Sequence, residues 1–233
     1  MLDTTNLLWY GSIAVQCLFC LYLIWTRLAR SFPTFTIYLA VSVGASLCGI
    51  YFMRGAEGAF LPVSYTYYWL FAEPIILLAQ VAVALEVHAG MWKGHHSVVR
   101  QTRPLLLFAL VTALVSAAIP TRSEIARVGV SRLMVILHFE LLVKRYVSSV
   151  VAIFLLLSAA VFLIVVHDGL KSSLFQHEGM LAAYFGIYAI TALLIDMGWS
   201  RAIFVNGYLA SALTLCFVIW FSVFKPQPFP ALE

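Results

Sequence analysis

Of the 233 residues, 63% are hydrophobic and only 10% are charged, against about 45–50% and about 25% in a soluble domain. This balance excludes a water-soluble fold, and a formal charge of +4 scattered between apolar stretches excludes a basic face for nucleic acid. The lipid bilayer is the implied solvent, and the length suits one polytopic domain over residues 1–233.

The predicted spans, in chain order, are about 7–26, 34–53, 65–88, 104–120, 146–167, 179–199 and 204–224. A helix rising about 1.5 Å per residue needs roughly 20 apolar residues to cross about 30 Å of hydrocarbon. The expected fold is an all-α, seven-transmembrane-helix bundle. The flank before the first span has no Lys or Arg, so the span reads as a retained helix rather than a signal peptide. Arg27 and Arg30 follow it, which places the N-terminus outside and the C-terminus inside. The later loops do not repeat this vote: the segments assigned inside and outside hold seven Lys and Arg each. Cys17 and Cys20 form a C-x-x-C, but no second ligand pair accompanies them, so they read as packing residues, as do Cys48 and Cys216.

The third span opens on Tyr65, Tyr67, Tyr68 and Trp69, rings suited to the headgroup level, and then carries Glu73-Pro74. Glu73 would lie roughly 13 Å deep by helical rise. The proline removes an amide donor and frees a backbone carbonyl beside the acid, the kind of local break from which ion and proton sites are made. The fourth span is short, bracketed by Pro104 and Pro120.

Residues 124–145 fit neither a loop nor a normal span. At 100° per residue, Glu124, Arg127, Ser131, His138 and Arg145 fall within about 60° of one another, opposite Leu133, Ile136 and Leu137. The expectation is an extra amphipathic helix in the outer interface, or a long extension of the fifth span, with Glu140 and Lys144 as an i,i+4 pair. The alternatives are a re-entrant segment and an eighth span, the latter placing Arg132 near mid-membrane at about 2.5–3.5 kcal/mol. The sixth span carries Asp196 near its outer end.

Ionisable residues inside hydrocarbon are functional candidates by default. Glu73, Pro74 and Asp196, with His138 and Arg132 among the countercharges, form the expected ligand or ion pocket in the outer half. A second cluster maps to the inner ends: Glu86, His88, His95, His96, His167, Asp168, His177 and Glu178. The expectation there is interfacial, solvated histidines. Metal or haem ligation by His88, His95, His96, His167 and His177 is the alternative.

The spacing forms no H-E-x-x-H, G-x-S-x-G, P-loop or Rossmann pattern, so no catalytic residues are assigned and no cofactor is predicted. Retinal is disfavoured because the 204–224 span has no lysine for a Schiff base. The short proline-rich tail after Lys225 offers no effector domain, so a signal would pass to a protein partner or a second copy of the chain. The leading expectation is a non-catalytic, sensor-like module or subunit of a larger assembly in a bacterial-type inner membrane. A proton- or ion-coupled small-solute transporter centred on Glu73-Pro74 comes next, then an intramembrane metal- or haem-dependent enzyme.

Overall fold

The computed structural model describes residues 4–53, 63–125, 132–166, 173–197 and 202–223. Among them the regular structure is entirely helical: α1 (Thr4–Trp25), a 3-10 turn (Leu28–Arg30), α2 (Pro33–Met53), α3 (Val63–Met91), α4 (His96–Ile125), α5 (Arg132–Val165), α6 (Ser173–Asp196) and α7 (Ala202–Val223). The first six are long and apolar enough to cross a membrane, and α7 carries a shorter apolar stretch, Leu209–Ser222.

The connections follow from local chemistry. After α1, Arg27 adopts a left-handed φ of 60° and Pro33 takes the first position of α2, where its missing N–H costs nothing. The free amides of that first turn, Thr34 N and Phe35 N, donate to the two carboxyl oxygens of Glu86 at 2.9 and 3.0 Å. A carboxylate is favoured there by both the orphan donors and the helix dipole. Between α3 and α4, Gly94 sits at φ +99°, which only glycine adopts without strain, and His95 N closes the turn on Trp92 O at 2.9 Å.

Helices α1, α2, α3, α6 and α7 close a ring, each packed on the next, with α5 wedged against α3 and α6 and α4 packed outside α5. The ring is filled by aromatics, including Phe19, Phe35, Tyr38, Tyr184, Phe217 and Trp220. Gly49 lets α2 approach α3: a Cβ there would lie 3.3 Å from the Trp69 ring. The outside of α4 and α5 is apolar and exposed, with Phe108 at 73% and Ile164 at 78%. Surfaces of this kind need lipid or protein against them.

Two sequence expectations are corrected. The fourth helix is not short: α4 has 30 residues, of which His96–Thr121 forms a membrane-length stretch, and Pro104 and Pro120 both lie inside it. Arg100 and Arg103, before the predicted start at 104, are exposed near the start of α4, where long side chains reach the interface while the helix continues. Among the described residues of 124–145 no separate interfacial helix forms. α4 runs to Ile125, residues 126–131 lie outside the described residues, and Arg132 begins a continuous helix to Val165. From Arg132 on, the stretch is continuous with the fifth helix, the extension that the sequence also allowed. Lys144 and Arg145 do not end the helix because each meets a carboxylate from a neighbouring helix.

Candidate functional site

The charged cluster is built around α5. Lys144 reaches α3, where its Nζ lies 2.5 Å from Glu73 Oε1, and it also stands 4.8 Å over the ring of Tyr188 on α6. The next residue, Arg145, donates from Nη1 to Asp196 Oδ2 of α6 at 2.5 Å. His138, two turns earlier on α5, donates from Nε2 to Asp196 Oδ1 at 3.0 Å. Successive helical residues diverge by about 100°, so Lys144 and Arg145 serve two different neighbours from one point of one helix.

These side chains are only partly accessible: Lys144 is 23% exposed, Glu73 12% and Asp196 21%. In that setting an ion pair is costly to desolvate and costly to break. Glu140, one turn before Lys144, has a buried carboxyl oxygen with no hydrogen-bond partner. The expected Glu140–Lys144 pair does not form, because Lys144 turns to Glu73 instead.

From Lys144 a line of hydroxyls runs into the ring. Tyr184 donates to Tyr188 at 3.4 Å and shares a short hydroxyl contact with Tyr38 of α2, to which Gln80 of α3 also donates at 3.5 Å. Nearby, Ser42 of α2 donates to Gln16 of α1 at 3.2 Å. The connected polar network therefore touches four helices, α2, α3, α5 and α6, and the separate Ser42–Gln16 bond ties α2 to α1. The tyrosines escaped the sequence reading because they look like ordinary aromatic core. Their signal is the spacing of Tyr184 and Tyr188, four residues apart on one helix face.

The expected outer pocket is accordingly revised. Glu73 and Asp196 do face α5, but each has its own cation, Lys144 or Arg145, and His138 joins Arg145 on Asp196. The side chain of Arg132 and the residues Arg54 and Arg201 lie outside what is described. Pro74 sits within an unbroken α3.

Among the described residues the inner cluster is split, although Glu178, fully buried, keeps its Oε1 4.0 Å from His88 Nδ1. His88 and His177 are 1% and 0% exposed, not solvated at an interface. His88 bonds Ser158 of α5 at 2.8 Å through Nδ1 and Thr102 of α4 at 2.7 Å through Nε2. His177 accepts from Trp220 Nε1 at 2.8 Å and packs between Phe32 and Phe35. His95 and His96 are exposed beside the Gly94 turn, and His167 with Asp168 lies outside the described residues. Burial succeeds because the imidazoles have hydrogen-bond partners on neighbouring helices, which a single sequence does not reveal. Among the described residues no group of three or more His, Cys, Asp or Glu is placed to hold a metal ion.

Comparisons with protein-family models, with curated proteins and with solved structures find no match to this chain.

Proposed function

We propose that this chain is a non-catalytic, sensor-like module or subunit of a larger membrane assembly, and that the α3–α5–α6 charged cluster is its moving part. One observation carries the reading: adjacent residues of α5, Lys144 and Arg145, are tied to carboxylates on two different helices. A rotation or slide of α5 changes both contacts together, which is what a bistable element requires. The arrangement we propose is seven spans, with α7 as the seventh, N-terminus out, in a bacterial-type inner membrane. The Arg27 and Arg30 flank supports this orientation. The partner is a second protein or another copy of the chain, which would cover part of the exposed apolar surface.

The test is a distance measurement. Spin labels at exposed positions 78 and 156, in a background with the four cysteines replaced by alanine, report the spacing of α3 and α5. Lys144→Gln should populate a second spacing that the parent chain lacks. An identical, single distance in both chains would sink the switching part, and a strictly monomeric protein extracted from native membranes would sink the assembly part.

A second reading, a proton- or ion-coupled small-solute transporter centred on Glu73-Pro74, draws on the line from Glu73 through Lys144 and Tyr188 to Tyr184 and Tyr38. Proton flux into liposomes that disappears with Glu73→Gln would favour it over the first.

A further inference from the structure

A cavity of about 380 Å³ lies between α3, α4 and α5, away from the charged cluster. It falls in the size range of small-molecule sites, roughly 300–1,000 Å³, and shares their composition of apolar walls with a few convergent polar groups. α3 and α4 are joined by the Gly94 turn yet barely touch along their lengths, and α5 forms the third wall. Leu105, Ile153 and Leu157 line the cavity and are also 65%, 56% and 62% exposed. The mouth therefore opens on the lipid-facing side, and an occupant arrives from the bilayer.

The polar end is formed by His88, Trp92, Thr102 and Ser158. Four contacts connect them: Trp92 Nε1 donates to Ser158 Oγ at 3.0 Å, Ser158 meets His88 Nδ1, His88 Nε2 meets Thr102 Oγ1, and Thr102 Oγ1 donates to Val98 O at 2.9 Å. A neutral imidazole has one donor and one acceptor, a hydroxyl one donor and two acceptor sites, and an indole one donor. Four donors thus serve four contacts, and all four form only if the direction is Trp92 to Ser158 to His88 to Thr102 to Val98. In that state every proton is used. What remains in the lining is one acceptor lone pair on Ser158 and one on Thr102; behind it the buried Glu178 carboxyl stands 4.0 Å from His88 Nδ1, beyond hydrogen-bond distance and outside the lining.

We propose that this cavity binds a membrane-soluble molecule with an apolar body and a neutral hydroxyl headgroup, whose O–H donates to Thr102 or Ser158. A carbonyl headgroup brings no proton. To bond there it would have to reverse the His88 chain and release the Val98 carbonyl. A charged headgroup meets no Lys, Arg, Asp or Glu in the lining. An acyl chain alone leaves the lone pairs unused. At about 30 Å³ for each water-sized volume, the space inside holds about a dozen such volumes, enough for a ring with a short tail.

Titration calorimetry of the full chain in lipid nanodiscs, with empty nanodiscs subtracted, tests this. The probes are 4-pentylphenol, its methyl ether, which keeps the shape and loses the proton, and 1-decanol as the aliphatic source of the same headgroup. Saturable binding of the phenol or the alcohol is expected, with the ether at least about ten-fold weaker, as suits the loss of one buried hydrogen bond. Thr102→Val and Ser158→Ala each remove one of the two acceptors, and at least one of them should weaken binding of the hydroxyl probe by about three- to ten-fold while leaving the ether unchanged. Ala109→Phe, which fills the cavity, should abolish binding, and Leu107→Phe on the exposed side of α4 should not. Thermal melts establish that each variant is folded. Equal affinity for phenol and ether, binding that survives Ala109→Phe in a folded protein, or no saturable binding of either hydroxyl probe would each overturn the proposal.

Discussion

The Glu73–Lys144 contact makes a quantitative demand on the fold. At 2.5 Å and an effective dielectric of about 20, the gross attraction between the two charges is about 7 kcal/mol. Removing each ion from water costs several kcal/mol, so against a neutral pair of the same size the net worth of the contact is close to zero. Losing only one partner is different. Lys144→Gln leaves a carboxylate that is 12% exposed with no cation in contact, and the expected loss is about 3 kcal/mol. That is the lower end of the range for buried pairs, because Lys144 itself is 23% exposed and water reaches part of the site. Glu73→Gln should cost less, about 1–2 kcal/mol, since Lys144 keeps the face of the Tyr188 ring. The double variant Glu73→Gln, Lys144→Gln should lie within about 1 kcal/mol of the parent chain, giving a coupling of about 4 kcal/mol. Reversible unfolding in mixed detergent micelles measures all four proteins. If the double variant loses the sum of the single losses to within about 0.5 kcal/mol, the pair is not a coupled contact and the account of why α5 continues through Lys144 fails.

Other contacts yield sharper local tests. Glu86→Ala removes the acceptor for the first amides of α2 and should cost about 1–2 kcal/mol in the same unfolding assay, with Glu86→Gln recovering part of it. Gly94→Ala forces a side chain into φ +99° and should cost about 1–2 kcal/mol without altering helix content by circular dichroism. Trp220→Phe keeps most of the aromatic packing but removes the donor to His177, and a loss of about 1–2 kcal/mol is expected, while an unchanged melting point would show the contact to be idle.

The long helices were legible because a membrane-spanning helix announces itself by length and apolar content alone. Glu73 and Asp196 were legible as candidates for the same reason: charge in hydrocarbon is conspicuous. Their partners were not. Lys144-Arg145 stood just outside the predicted fifth span, 146–167, because the cost of burying a cation can be judged from sequence, whereas its relief by a carboxylate 71 residues away, as for Lys144 and Glu73, is a tertiary fact. The two prolines of α4 misled in the same direction, since a proline signals a helix end only where nothing else holds the helix together. Glu86 and His88 illustrate a third limit. Both were assigned to one inner cluster from depth, but two residues apart on a helix point in directions about 160° apart, so one caps α2 and the other faces α4 and α5.

The polar contacts between α3 and α5 share a register that accounts for both sites at once. Glu73 meets Lys144 and His88 meets Ser158, so the offsets between the two helices are 71 and 70 residues. Nearly equal offsets mean that the helices run in the same direction, side by side, over the roughly 22 Å between the two contacts. Most of the intervening surface is apolar and imposes little register of its own, because lipid-soluble side chains slide past one another with small changes in energy. The charged pair and the histidine bond therefore act as two pins. Any axial shift of α5 large enough to separate Lys144 from Glu73 must also stretch the Ser158–His88 bond at the edge of the cavity. A ligand donating to Ser158 and a change in charge at Glu73 thus bear on one mechanical coordinate. That shared coordinate would give the proposed module its output, since both ends of α5 report on the same displacement.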